Sequence, residues 1–88
     1  MNERNRTNLE IKRDMLNIIK KNVRVTKIVY GANLNFSIVH RHLDQLLQKG
    51  YINIHEDTLK TTYSITEQGL QIIPEMNRTI SNMKMILF

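Results

Sequence analysis

The chain has 88 residues, of which 41% are hydrophobic, enough to close one core and hardly two. It has no cysteine, which excludes disulfide frameworks, thiolate zinc sites and cysteine nucleophiles together. A formal charge of +5 points toward an anionic partner, and no segment has the pattern of a signal peptide or the length of a membrane span, so a cytoplasmic protein is expected.

The charge is unevenly placed. Residues 1–27 carry Arg4, Arg6, Lys12, Arg13, Lys20, Lys21, Arg24 and Lys27 against Glu3, Glu10 and Asp14, whereas the remainder balances five basic with five acidic side chains. A solvated helix face and contact with phosphate are both open explanations for the excess. Three Asn-x-Ser/Thr triplets, at Asn5, Asn35 and Asn77, would matter only in a secreted chain and are read as chance matches.

In chain order, Thr7-Asn8-Leu9-Glu10 has the spacing of a capping box and predicts a first helix from there to about Asn22. Ile11, Met15, Ile18 and Ile19 form its apolar stripe, and Leu9 with Leu16 widens the stripe to a flank that the core alone does not account for. Val23 and Val25 alternate around Arg24 as a very short strand. Thr26 is then the expected N-cap of a helix carrying Ile28, Val29 and Tyr30 that Gly31 soon ends. Asn35 is the expected cap of the best-defined helix, which runs to Lys49 before Gly50 supplies a left-handed stop.

Period-two patterns over 51–55 and 61–65 predict two antiparallel strands joined by Glu56 to Lys60. Thr66 caps a further helix through Leu70, Ile72 and Ile73, which Pro74 is expected to kink or break. The predicted division is a main domain over 1–73 and a C-terminal helix over 74–88. In that last segment Ile73, Met76, Ile80, Met83 and Leu87 step by three and four, a run too short for a coiled coil on its own.

The predicted class is mostly α with a small β-hairpin, in the order of a winged helix-turn-helix with an added C-terminal helix. Several stretches also resemble the small archaeal winged-helix regulators, within the wider group that includes the multiple-antibiotic-resistance and phenolic-acid repressors. They are Thr26 to Tyr30, Asn33-Leu34, Leu43 to Ile52 with its Lys49-Gly50-Tyr51 turn, and Tyr63 to Gly69. Each piece recurs among winged helices, so together they carry the fold rather than one regulator. What the resemblance implies is sequence-specific binding of double-stranded DNA by a transcription regulator, with the helix over about 35–49 in the major groove.

Projection of that helix at 100° per residue puts Phe36, Val39, Leu43, Leu46 and Leu47 on the core arc. The opposite arc holds Ser37, Ile38, Arg41 and Gln45 as base-contacting candidates, with Gln48 beyond them. Ile38 is the expected exposed apolar tip for a thymine methyl. Arg24, Thr26, Lys27 and Asn35 are placed for backbone contact, and the wing offers Lys60 and Thr61, with Thr62, beside an acidic tip of Glu56 and Asp57.

His40 and His42 fall on the two borders of the same helix and point apart, which favours border packing or phosphate contact over a shared metal. His55 lies on the wing with no evident partner. No catalytic set, cofactor motif or small-molecule pocket is legible, and no metal site is expected. Leu9, Leu16, Met76, Ile80, Met83 and Leu87 are the expected dimerisation residues, with fold-back of the tail on Leu9 and Leu16 the open alternative. A homodimer bound to DNA in the nucleoid is the resulting picture. A winged helix that binds another protein and a low-specificity architectural DNA protein are its rivals.

Overall fold

The computed structural model describes residues 6–87, so Glu3, Arg4, Asn5 and Phe88 lie outside the described residues, as does the side chain of Leu87. The elements are α1 (Asn8–Ile19), α2 (Val25–Ala32), α3 (Phe36–Gln48), β1 (Ile52–Glu56), β2 (Thr61–Ile65) and α4 (Glu67–Leu87). Mostly α with one antiparallel hairpin and a C-terminal helix, the architecture is the winged helix expected from the sequence.

Each helix begins or ends where local chemistry dictates. The Thr7 hydroxyl accepts from the Glu10 amide at 3.1 Å while the Thr7 amide donates to the Glu10 carboxylate at 3.2 Å, which completes the capping box. Helix α1 stops at Ile19, three residues before the expected Asn22, and Lys20 is its C-cap. Beyond it Val23 is pinned to Tyr63 of β2 by two backbone hydrogen bonds, of 3.0 and 2.7 Å, so the predicted short strand is a single bridge.

That bridge also moves the start of α2. The Arg24 carbonyl accepts from Lys27 and Ile28, making Arg24 the N-cap and leaving Thr26 inside the first turn rather than at the cap. Nor does Gly31 end the helix. A Cβ there would lie 2.9 Å from Ile18 Cδ1, so the glycine lets α1 and α2 approach, and Asn33, left-handed at φ 57°, supplies the stop.

Helix α3 starts as expected, with Asn35 Oδ1 accepting from the Ile38 amide at 2.8 Å. It ends in a Schellman motif: Tyr51 N–H reaches the Leu46 carbonyl, Gly50 N–H reaches Leu47, and Gly50 sits at φ 78°. Because the Tyr51 amide closes that motif, β1 begins at Ile52, one residue later than the alternation implied. The register then pairs Ile52 with Ile65 and Glu56 with Thr61.

Thr66 joins the hairpin to α4, donating to the Gly50 carbonyl at 2.7 Å and accepting from the Gly69 amide at 3.0 Å. Of the kink or break expected at Pro74, α4 shows no break: it runs from Glu67 to Leu87 with the proline inside it. The proline costs one backbone donor, and it lies with Leu70 on the exposed side of the helix. Ile73, Met76 and Ile80 on the other side are buried and hold the helix to its course. The core gathers Met15, Leu16 and Ile19 of α1, Ile28 of α2, Val39, Leu43 and Leu46 of α3, and Ile52 and Tyr63 of the hairpin.

Gly69 shows how tightly α4 is seated, since a Cβ there would collide with the Tyr51 carbonyl oxygen. Gly69→Ala is therefore expected to destabilise the protein by about 1–3 kcal/mol, as overpacking does. Urea denaturation of both proteins, compared at their midpoints with unchanged slope, checks this.

Candidate nucleic-acid interface

The candidate surface is built on α3, whose inner stripe of Val39, Leu43 and Leu46 is buried. Ser37, Arg41, Gln45 and Gln48 are exposed on the other side as the helical projection implied. Ile38 departs from it in part: the residue is half-buried and packs against the core, so only part of its side chain is free. Phe36, assigned to the core arc, is 46% exposed at the first position of the helix. Leu47 is half-buried.

His42 is the largest departure on this helix. Instead of a border position it has 1% exposure, among the apolar residues of the inner stripe, whereas His40 is exposed. What permits this is a partner thirty residues away: Lys12 Nζ of α1 lies 2.8 Å from His42 Nδ1. An ammonium has only donors, so Nδ1 accepts and the ring proton resides on Nε2, which is buried without a partner. Burial, then the charges of Lys12 and Arg41, push the imidazole pKa down to about 4, and burial followed by Arg41 lowers that of Lys12.

Beside α3, the start of α2 presents Arg24, Thr26 and Lys27, all exposed. The Val23–Tyr63 bridge holds this segment next to the base of the wing. Lys20 and Lys21, also exposed, extend the basic edge and were not singled out from the sequence. Other members of the N-terminal excess serve the fold. Arg6 binds the Asp14 carboxylate at 3.0 Å and the Ala32 carbonyl at 2.7 Å, and Arg13 binds Asp14 and Asn77, each at 3.1 Å.

One of the two acidic residues at the wing tip builds the turn itself. Asp57 Oδ1 accepts from the Leu59 and Lys60 amides at 2.8 and 2.9 Å, and these bonds, then Lys60 and Arg24, hold its carboxyl below the usual range. Lys60 and Thr61 are exposed, whereas Thr62 is buried. His55, for which no partner was foreseen, pairs through Nε2 with Ser64 Oγ at 2.8 Å. Leu59 at the tip is 90% exposed.

The residues expected to form a dimer interface do not share one surface. Leu16 has no exposure at all, because α1 packs against α2, β2 and α4 of its own chain, and it is removed from that set. Met76 and Ile80 are likewise buried within the chain, Met83 is half-buried, and Met85 and Ile86 stand more than 80% exposed at the end of α4. Leu9 is half-buried and, with Tyr51, Ile72 and Met76, lines an open groove of roughly 300 Å³. The inner half of α4 therefore folds back on α1 while its end projects.

Comparison with known proteins places these features. Residues 5–84 match a family model described as winged helix-turn-helix. No curated protein sequence matches. Among solved structures, Sso10a-2, a DNA-binding protein from Sulfolobus solfataricus, is 28% identical with a TM-score of 0.85, covering 92% of this chain and 85% of its own. The PcaV transcriptional regulator from Streptomyces coelicolor shares 15% identity at a TM-score of 0.73, over 85% of this chain and 57% of its own. MepR, a transcription regulator of Staphylococcus aureus, shares 16% at 0.69, over 97% and 65%. The chain thus spans less than two thirds of either regulator, and at these identities their likeness is one of fold.

The buried imidazole sets a pH dependence. His42 is neutral in the fold down to about pH 4, whereas an unfolded histidine protonates near 6.5, so between these values the unfolded chain binds the extra proton. Stability is expected to fall as pH drops from about 6.5 to 4, with His42 contributing about 1–3 kcal/mol of the loss. Chemical denaturation across that range should show a shallower decline for His42→Phe than for the wild type.

Proposed function

The chain belongs to the winged helix-turn-helix family, and on that premise we propose that it binds double-stranded DNA as a transcription regulator, with α3 in the major groove and no catalytic activity. The observation that carries this reading is the outer stripe of α3. A helix anchored by a fully buried inner stripe turns Arg41 and Gln45 to solvent, in a chain whose α2 also opens on exposed cations. Arginine suits guanine and glutamine suits adenine, while Ser37 and the free part of Ile38 lie near the helix start, where base contacts concentrate. Arg24, Thr26, Lys27, Lys60 and Thr61 are assigned to the phosphate backbone, where they fix register without reading sequence. Asn35 keeps its capping role and leaves the first α3 amides pointed at the same backbone. Sso10a-2, named as a DNA-binding protein, supports the choice of partner.

The second part of the proposal is a homodimer through the projecting end of α4. Met83, Met85 and Ile86 form an apolar end that a second copy would cover, with Leu9 in the groove. Pairing would double a modest DNA surface. Location with the nucleoid in the cytoplasm follows from the same reading. A low-specificity architectural role is the second reading, favoured by one observation: Arg41 is the single formal cation on the outer stripe of α3, so the face supplies little affinity of its own.

Selection from a pool of random duplexes at two salt concentrations separates these readings. A regulator enriches one sequence, palindromic for a dimer, whereas the architectural protein binds without enrichment and depends steeply on salt. Arg41→Ala is expected to relax preference at one position by about 1–3 kcal/mol, while Lys27→Ala weakens all sequences alike. Equal effects of the two changes, or no binding at low salt, would contradict the assignment. For the dimer, Met83→Glu with Ile86→Glu is expected to lower the mass in sedimentation equilibrium to that of one chain.

A further inference from the structure

We propose, building on the DNA-binding reading above, that Lys12 grips one phosphate of the duplex backbone beside the base contact of Arg41, with His42 as the brace that positions the lysine. This makes α1 a DNA-contacting element, which neither the helix-turn-helix nor the wing requires.

Three observations converge. First, Lys12 donates one of its three ammonium N–H groups to His42 Nδ1 at 2.8 Å, and no other acceptor among the described residues takes the remaining two. Second, the lysine has no counter-ion among the described residues. Among the described residues the ion pairs join Arg6 and Arg13 to Asp14, and no carboxylate reaches Lys12 or Arg41, although the lysine is half-buried and within the field of the arginine. A half-buried ammonium without an anion is costly, and an arriving phosphate removes the cost. Third, His42 is an expensive choice for packing alone, since the surrounding stripe is apolar and its Nε2–H is buried unpaired. A neutral acceptor at that position holds an ammonium without neutralising it, as a carboxylate would.

The placement fits a helix in a groove. Arg41 is exposed on the outer stripe and His42, the next residue, is buried, so the lysine tip lies where the outer face meets α1. Phosphates line both flanks of a major groove, and there a side chain beside the recognition helix meets the backbone rather than the bases. In this position Lys12 adds affinity and orientation, and its loss is felt equally by every sequence.

Binding to a duplex of 20–30 base pairs is measured across 50–200 mM salt. For Lys12→Met, which keeps the apolar stem, the slope of log affinity against log salt is expected to fall by about 0.9, one phosphate contact. His42→Phe is expected to weaken binding as well, and Lys12→Met added to it should then cost less than it does alone. An unchanged slope for Lys12→Met, or strictly additive effects, would overturn the contact while leaving duplex binding itself established. A wild type that binds no duplex would overturn both.

Should a variant not fold, the wild type alone decides through the His42 ring resonances. Duplex should shift them, and inorganic phosphate at matched ionic strength should not. A shift with inorganic phosphate and none with duplex would assign the cluster to a free anion and contradict the proposal.

Discussion

Everything on the candidate DNA surface depends on the burial of one stripe of α3. Val39, Leu43 and Leu46 have at most 1% exposure, and each contributes about 1.5–3 kcal/mol on leaving water. A helix tied down along one side cannot roll, so Arg41 and Gln45 have no choice but to face out. The same burial explains the neighbouring elements. Leu46 offers its carbonyl to Tyr51 and Leu47 to Gly50, the chain reverses, and the wing starts six residues after the last α3 core position.

Features that rest on near neighbours were legible in the sequence. The Thr7–Glu10 box, the Asn35 cap, the Gly50 stop and the Thr66 cap each need only three or four residues, and all are in place. Features that rest on distant partners were not. His42 reads as a border residue until Lys12, thirty positions earlier, is laid against it. Arg6 reads as free charge until it is seen to cap the α2 end through the Ala32 and Asn33 carbonyls. Leu16 looked surplus to the core because α1 is covered on more than one side, by α2, β2 and α4. Pro74 sits inside α4 for a related reason: propensity argues for a kink or break, and the buried residues on either side of it keep the helix continuous.

Charge is divided between fold and surface in a way that composition hides. Arg6 and Arg13 are spent on Asp14 and on helix ends, while Lys20, Lys21, Arg24 and Lys27 remain open to solvent along one edge. Asp57, the most obvious source of repulsion, is folded into the wing turn by two backbone amides. In the proposed mode of binding, the outer face of α3 supplies selectivity, and the edge of α2 with Lys12 supplies affinity. The end of α4 offers a way to double both.

The most direct test of this account is a map of backbone amide resonances on adding duplex DNA. The account predicts that the large shifts fall on Ser37, Ile38, Arg41 and Gln45 and on the segment from Arg24 to Lys27, with the end of α4 unmoved at constant oligomeric state. Shifts confined to α4 and the groove beside Leu9, with α3 silent, would contradict it.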